Sequence, residues 1–277
     1  MSERFENTFI GFQDAELFYQ VWEPSTPRGT IVVTHGLAEH SDCYQGFAEE
    51  LVGDGWRTLA WDLRGHGKSA GKRGYVAEFQ HLCEDLNIFY SLAQKEYGTQ
   101  PLIVFGHSLG GLITLKTQLN FGFPKAFALC LSSPALGLSI EVPKLKERVA
   151  EIAGEWMPKI TLANEIIFTQ LIRDRKLQEE YARDTLRHDR ISPRLFLGMR
   201  AAMAEVQEHA MEFTHPLIMQ LAGEEKVVST PASKDFFERI GSKQKELYIY
   251  TDSYHEVFND LDRHQVFKDF KTFINKL

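Results

Sequence analysis

The chain predicts an α/β fold: a mainly parallel central sheet covered by helices on both faces and interrupted by a helical insertion. Three observations in its 277 residues carry that reading. Short runs rich in β-branched and aromatic residues alternate with helical stretches along most of the length. One such run, Pro101-Leu102-Ile103-Val104-Phe105, leads through Gly106-His107-Ser108-Leu109-Gly110-Gly111 directly into a helical pattern. Between Pro134 and Pro216 several helical patterns follow one another with no convincing strand.

Taken in order, Thr8 to Phe12 and Glu16 to Trp22 read as paired opening strands. Further strands are expected at Thr30 to Thr34, Arg57 to Trp61, Leu102 to Phe105, Ala126 to Leu131, Pro216 to Leu221 and Glu246 to Tyr250. Helices are expected at Cys43 to Gly53, Glu78 to Tyr97, Leu109 to Asn120, Pro231 to Ile240 and Arg263 to Lys276. Strand and helix in turn favour parallel pairing, because a parallel crossover needs a connection long enough to hold a helix. In the strandless interval helices are expected at Lys144 to Trp156, Asn164 to Arg187 and Pro193 to Phe213. The domain organisation that follows is a core of 1–134 and 214–277 with a cap of 135–213. The first cap helix sets Leu145, Val149, Ile152, Trp156 and Met157 on one face against Lys146, Glu147, Glu151 and Glu155 on the other. Such a stripe is expected to pack against the rest of the protein; the functional alternative is an apolar surface facing an acyl chain or a membrane.

Composition bounds the function. A chain with 43% hydrophobic and 25% charged residues is an ordinary globular one. A net charge of −7 and the lack of a long basic run argue against a nucleic-acid partner. The opening Met1-Ser2-Glu3-Arg4-Phe5-Glu6-Asn7 has no basic segment followed by an apolar core, and no stretch reaches membrane-span length, so the cytoplasm is the expected location. Cys43, Cys83 and Cys130 are far apart and lack metal-ligand spacing, which suits reduced, structural thiols. Neither a metal nor an organic cofactor is expected.

The chemistry starts at Ser108. A serine that attacks a carbonyl must stand proud of the backbone, and a sharp strand-to-helix turn does this by straining it. Gly106 and Gly110 leave room where strand and helix pass close together. A base must then remove the hydroxyl proton, and a carboxylate must orient that base, in the chain order serine, acid, histidine. Of the later histidines, His188 and His209 fall in the insertion, His215 precedes a strand and His264 lies in the last helix. His255 follows a strand after a short polar loop and is the candidate base. The strand end at Ser132-Ser133-Pro134 has no carboxylate, whereas Gly223-Glu224-Glu225-Lys226 has two. Glu225 is favoured as the acid, Glu224 is the reserve, and Asp252 is a third candidate better suited to fixing its turn. The amides of Leu109 and Leu37 are the candidate oxyanion donors. His35 and His66 are expected to fix their loops, and His107 adjoins the serine without being obliged to act on it.

Together, His35-Gly36-Leu37-Ala38-Glu39-His40, Asp62-Leu63-Arg64-Gly65-His66-Gly67, Gly106-His107-Ser108-Leu109-Gly110-Gly111 and Tyr254-His255-Glu256 resemble the monoacylglycerol lipase and lysophospholipase branch of the α/β-hydrolase superfamily. The resemblance spans nearly the whole core. It implies the α/β-hydrolase fold, a mobile cap over an acyl tunnel and a glycerolipid substrate with one acyl chain. Two departures accompany it: many members carry aspartate where this chain has Glu225, and no cap motif matches. Gly-Glu-Glu-Lys-Val-Val is similar to the acidic loop of some bacterial lysophospholipases, which favours a phospholipid over a neutral lipid. The expected activity is a serine carboxylester hydrolase with Ser108, Glu225 and His255 as its triad. A peptidase or amidase on the same fold is the rival, and a non-catalytic binding module is a more distant one. The expected partner is a small lipid ester, with transient membrane contact through the cap.

Overall fold

The structure is a computed structural model that describes residues 3–139 and 144–277. It opens with an antiparallel pair, β1 (Glu3–Ile10) and β2 (Glu16–Glu23), in register from Glu3 opposite Glu23 to Ile10 opposite Glu16. The chain then runs through β3 (Gly29–Thr34), α1 (Gln45–Val52), β4 (Trp56–Trp61), α2 (Gln80–Tyr97), β5 (Leu102–His107), α3 (Leu109–Phe121) and β6 (Ala126–Ser132). A helical segment follows: α4 (Lys144–Trp156), β7 (Leu162–Ala163), α5 (Phe168–Leu171), α6 (Arg175–Arg183), β8 (Arg190–Ile191) and α7 (Pro193–Glu208). Finally come β9 (Leu217–Ala222), α8 (Thr230–Arg239), β10 (Lys245–Tyr250) and α9 (Arg263–Lys276). The main sheet has eight strands in the order β1-β2-β4-β3-β5-β6-β9-β10. It is parallel from β4 to β10, as the alternation predicts, and only β1 and β2 run antiparallel to their neighbours.

The strand sequences explain why both faces are covered. Along β3, β4, β5 and β9 every residue is buried, so the apolar side chains alternate between two cores. Val32, Leu59, Val104 and Leu129 face Leu82, Leu86 and Phe89 of α2 and Leu112 and Leu115 of α3. Ile31, Val33, Ile103 and Phe105 face Phe47 and Leu51 of α1 and Val266, Phe267 and Phe270 of α9. Each such side chain contributes about 1.5–3 kcal/mol by leaving water. The parallel strands all end on one edge, and the loops leaving β3, β5, β9 and β10 meet there.

The segment between β6 and β9 departs from expectation in three ways. First, it does contain strand: β7 and β8 pair antiparallel, but with two residues each they are too short to leave a pattern. Second, the helix expected from Asn164 to Arg187 is broken into α5 and α6. Asp174 caps α6 by accepting from the amides of Lys176 and Leu177, and the Arg173 amide is taken by Asp260 Oδ1 at 3.0 Å. Likewise α7 stops at Glu208, with only a 3-10 turn at Ala210–Glu212 beyond it.

Third, the apolar stripe of α4 does not pack inward. Val149, Ile152, Trp156 and Met157 are 58%, 60%, 79% and 57% exposed, while the expected positions at Leu145, Lys146 and Glu147 lie outside the described side chains. What α4 offers its neighbour is Gly154, which lies close to Pro193, Arg194 and Leu197 of α7 and whose carbonyl accepts from Arg194 Nε. Among the described residues no helix is long and apolar enough to cross a membrane.

Candidate active site

Ser108 joins β5 to α3 at φ 52° and ψ −120°, a conformation that L residues rarely adopt. Its surroundings leave no alternative. A Cβ on Gly106 would stand 2.6 Å from the Gly110 carbonyl oxygen and 2.7 Å from Gly111 Cα. One on Gly110 would stand 2.0 Å from the Thr34 carbonyl oxygen and 2.5 Å from that of His35. The second clash ties the serine turn to the end of β3, so the loop after β3 is pressed against Ser108.

The side chains that the sequence singles out converge. His255, on the loop after β10, lies with Nε2 2.8 Å from Ser108 Oγ, and its Nδ1 lies 2.8 Å from Glu225 Oε2 on the loop after β9. Since the carboxylate can only accept, Nδ1 carries the proton and Nε2 is free to accept from the serine hydroxyl. Glu225 is fixed in turn, its Oε1 accepting from the amides of Lys226, Val227 and Val228 at 3.0, 2.9 and 3.3 Å. Burial alone would lower the His255 pKa, but the charge and hydrogen bond of Glu225 outweigh it and raise it. Burial raises the Glu225 carboxyl less than His255 and the loop amides lower it, so it stays ionised. Glu224 and Asp252 are both exposed and lie outside this chain of bonds. The loop after β10 is held by Asp260, which takes the Tyr254 amide at 2.6 Å, rather than by Asp252.

The other histidines sort as their loops require. His35 Nδ1–H donates to the Gly36 carbonyl at 2.7 Å while Nε2 accepts the Leu63 amide at 3.0 Å, and burial pushes its pKa down to about 3. His107 Nδ1–H donates to the Ser132 carbonyl, and burial with His255 beside it brings its pKa to about 3 as well. His66 donates to the Arg64 carbonyl in its turn. That turn is organised by Asp62, whose carboxylate accepts the amides of Ser41 and Lys68, both at 2.6 Å. Gly67 at φ 47° lies against the same carboxylate, where a Cβ would be 2.0 Å from Oδ2.

Leu109 is the first residue of α3, whose leading N–H groups have no acceptor within the helix. Gly36, just before Leu37, passes so near Ser108 that a Cβ there would be 3.2 Å from Ser108 Cβ. The pocket beside the serine leaves about 30 Å³ of free space and is lined by residues that include Leu37, Phe168, Leu171, Arg187 and Val227.

A buried charge cluster behind this pocket is not apparent from the sequence. Arg187, from the turn after α6, stacks its guanidinium 3.7 Å over the Tyr181 ring. Its Nη1 lies 3.7 Å from Glu256 Oε1, its Nη2 4.0 Å from Glu39 Oε1 and its Nε 4.0 Å from Asp184 Oδ2. These gaps exceed direct hydrogen bonds, and Nε, Nη2 and Glu256 Oε1 have no protein partner within bonding distance. Burial and the neighbouring Glu256 push the Glu39 carboxyl up to about 7, whereas Arg187 outweighs burial and keeps Glu256 ionised. Glu39 and Glu256 stand in motifs the sequence marks out, but Arg187 lies in a segment with no motif.

His40, Cys43 and Asp184 bring one N, one S and one O donor within 4.8 Å of one another. A cation there would face the Arg187 guanidinium, and burial pushes the Cys43 thiol far up, away from the thiolate a metal needs.

Comparison with known proteins bears on the chemistry. Residues 25–262 match the family described as serine aminopeptidase, S33. The chain is 30% identical to a monoacylglycerol lipase of Mycolicibacterium smegmatis, over 99% of this chain and 98% of that protein. It is 25% identical to the phospholipase YtpA of Bacillus subtilis, over 92% and 98%. The crystal structure of a Paleococcus ferrophilus monoacylglycerol lipase superimposes with a TM-score of 0.82 at 26% identity, covering 99% of both chains.

Proposed function

The chain belongs to the serine aminopeptidase S33 family of α/β-hydrolases and hydrolyses carboxylic esters of lipids; from that premise we propose that it cleaves single-chain glycerolipids through an acyl-enzyme on Ser108. The observation that carries this reading is the unbroken run of bonds from Ser108 through His255 to Glu225, with 2.8 Å at each step. In this mechanism Ser108 Oγ attacks the ester carbonyl as its proton passes to His255 Nε2. Glu225 keeps the imidazole in the working tautomer and stabilises the imidazolium. The oxyanion is met by the amides of Leu37 and Leu109, each donor worth about 3 kcal/mol of barrier. Collapse expels the glycerol oxygen with the proton from His255, and a water deprotonated by the same His255 then releases the fatty acid.

Residues 135–213 act in this reading as a cap. The pocket beside Ser108 is narrow, with Phe168 and Leu171 of this segment in its wall, so an acyl chain would enter past these two side chains. The exposed stripe on α4 supports transient contact with a lipid surface. The three free thiols suit the cytoplasm.

The charge cluster favours a neutral headgroup, the opposite of what the acidic loop suggests. One guanidinium among the carboxyl groups of Glu39, Glu256 and Asp184 is no receptor for a phosphodiester. Its spare N–H donors and the spare Glu256 oxygen suit hydroxyl groups, which both accept and donate. The same cluster disfavours an aminopeptidase. The Arg187 guanidinium stands among the buried carboxyl groups and would repel a substrate ammonium.

Fatty-acid release should be followed from a monoacylglycerol, lysophosphatidylcholine and short p-nitrophenyl esters, with an aminoacyl amide as a control. The expected order is monoacylglycerol above lysophospholipid, no amide cleavage, and no turnover by Ser108→Ala. Amide cleavage with all esters intact would overturn the lipase reading; the reverse lipid order would overturn the headgroup argument.

A further inference from the structure

We propose that the cap turn from Asp184 to His188 holds the loop carrying Leu37 in its working shape, so that Asp184 and His188 are positioning residues for the oxyanion donor. The proposal rests on the reading of Leu37 as that donor. The loop is pinned to the core at both ends. His35 is tied to the Leu63 amide, and the Ser41 amide is tied to Asp62 Oδ1 at 2.6 Å. Within the span from Gly36 to His40, the Gly36 amide donates to Glu39 Oε2 at 2.9 Å, and Ala38 sits at φ 67°. An alanine keeps a left-handed conformation only where its surroundings over-determine it.

Those surroundings include the cap. Three consecutive loop residues meet one cap turn: the Ala38 carbonyl accepts the His188 amide at 3.4 Å, Glu39 Oε1 faces Arg187 Nη2, and His40 Nε2–H donates to Asp184 Oδ2 at 2.7 Å. The turn is itself ordered, since Asp184 Oδ1 accepts the Leu186 amide at 2.9 Å. His40 is only 3% exposed, so water reaches its bond to Asp184 from the carboxylate side alone. Displacing the turn therefore removes the donor from the Ala38 carbonyl and the acceptor from the His40 ring together. The peptide that carries the Leu37 amide is then held from one side only, through the His35 Nδ1–H bond to the Gly36 carbonyl. The cap thus acts on the rate of the chemical step as well as on substrate choice, and the oxyanion site is complete only when this turn is seated.

The test separates kcat from KM on p-nitrophenyl butyrate, an ester too short to fill an acyl tunnel. Asp184→Ala is expected to lower kcat by about tenfold or more, as misplacement of a catalytic group does, with KM changing by less than about twofold. Asp184→Asn, whose amide oxygen still accepts from His40, is expected to restore most of the rate. A trifluoromethyl ketone gives a second readout: Ser108 Oγ bonds to its carbonyl carbon, the serine proton passes to His255, and the resulting oxyanion needs the same donors. Its affinity should fall in step with kcat/KM. An unchanged kcat with a raised KM, or an unchanged ketone affinity, would overturn the proposal. If Asp184→Ala does not fold, His40→Ala read by the same split decides it. Leu37→Pro, which deletes the amide hydrogen, separates the two levels. If it leaves kcat intact, the Leu37 reading fails; if it lowers kcat while Asp184→Ala does not, only the role of the cap turn fails.

Discussion

The turn at Ser108 and the helix α4 differ in how many independent constraints reach each residue. Around Ser108, Gly106 is locked against the first turns of α3 and Gly110 against the end of β3, and His255 and Glu225 each bond at both ends of their polar groups. On α4 the apolar side chains from Val149 to Met157 face outward, and Gly154 marks the close contact with α7. The proposed function gives the two regions different work: reacting groups lose rate when displaced by about 1 Å, whereas a surface proposed to meet lipids of varied shape would gain nothing from a single fixed packing. The Asp184–His188 turn, though it lies with α4 in the segment between β6 and β9, belongs with the constrained group.

Four changes break or sharpen this contrast. The largest effect is expected at the acid. Glu225→Gln should lower kcat by about 10³–10⁴-fold by losing the charge that sets the His255 tautomer, while exposed Glu224→Gln should leave steady-state kinetics near wild type. Equal losses in the two would break the contrast between the buried and exposed glutamates.

Gly110→Ala comes next. Its Cβ would stand 2.0 Å from a β3 carbonyl oxygen, so the denaturation midpoint should fall by the equivalent of about 1–3 kcal/mol or the chain should not fold. A wild-type midpoint would show that the turn is not locked.

The third is the pH profile. His255 must be neutral to accept the serine proton and its pKa is raised, so kcat/KM should climb with pH and reach half its plateau above pH 6.5. In Glu225→Gln the residual activity should have its acid limb at lower pH, because the raising charge is gone. A limb that does not move would detach Glu225 from His255.

The smallest effect is expected on the loose side of the comparison. Trp156→Ala should change stability by less than about 0.5 kcal/mol and leave soluble-ester turnover unchanged. On monoacylglycerol presented in vesicles, its rate should drop a few-fold. A large loss of stability would mean that Trp156 is packed.

Much of this arrangement is legible in the sequence, for local reasons. The alternation of strand and helix carries the parallel sheet, and the α9 boundaries expected at Arg263 and Lys276 are those observed. Ser108, His255 and Glu225 can be found because chain order and strand ends limit the choices. Long-range bonds are not legible. Nothing near Arg173 in the chain announces that Asp260 takes its amide and breaks a helix. Nor does anything near Arg187 announce that it reaches Glu39 and Glu256 across the site. The exposed stripe on α4 shows the same limit from the other side: periodicity identifies an apolar face, but not what lies opposite it.

The central claim, that lipid esters are cleaved through an acyl group on Ser108, is tested most directly by intact-protein mass spectrometry after rapid acid quench of the enzyme mixed with a p-nitrophenyl acyl ester. The prediction is one added acyl group per chain within the first turnover, found on the peptide that contains Ser108 and absent from Ser108→Ala. Turnover with no acylated species, or an acyl group on another residue, would contradict it.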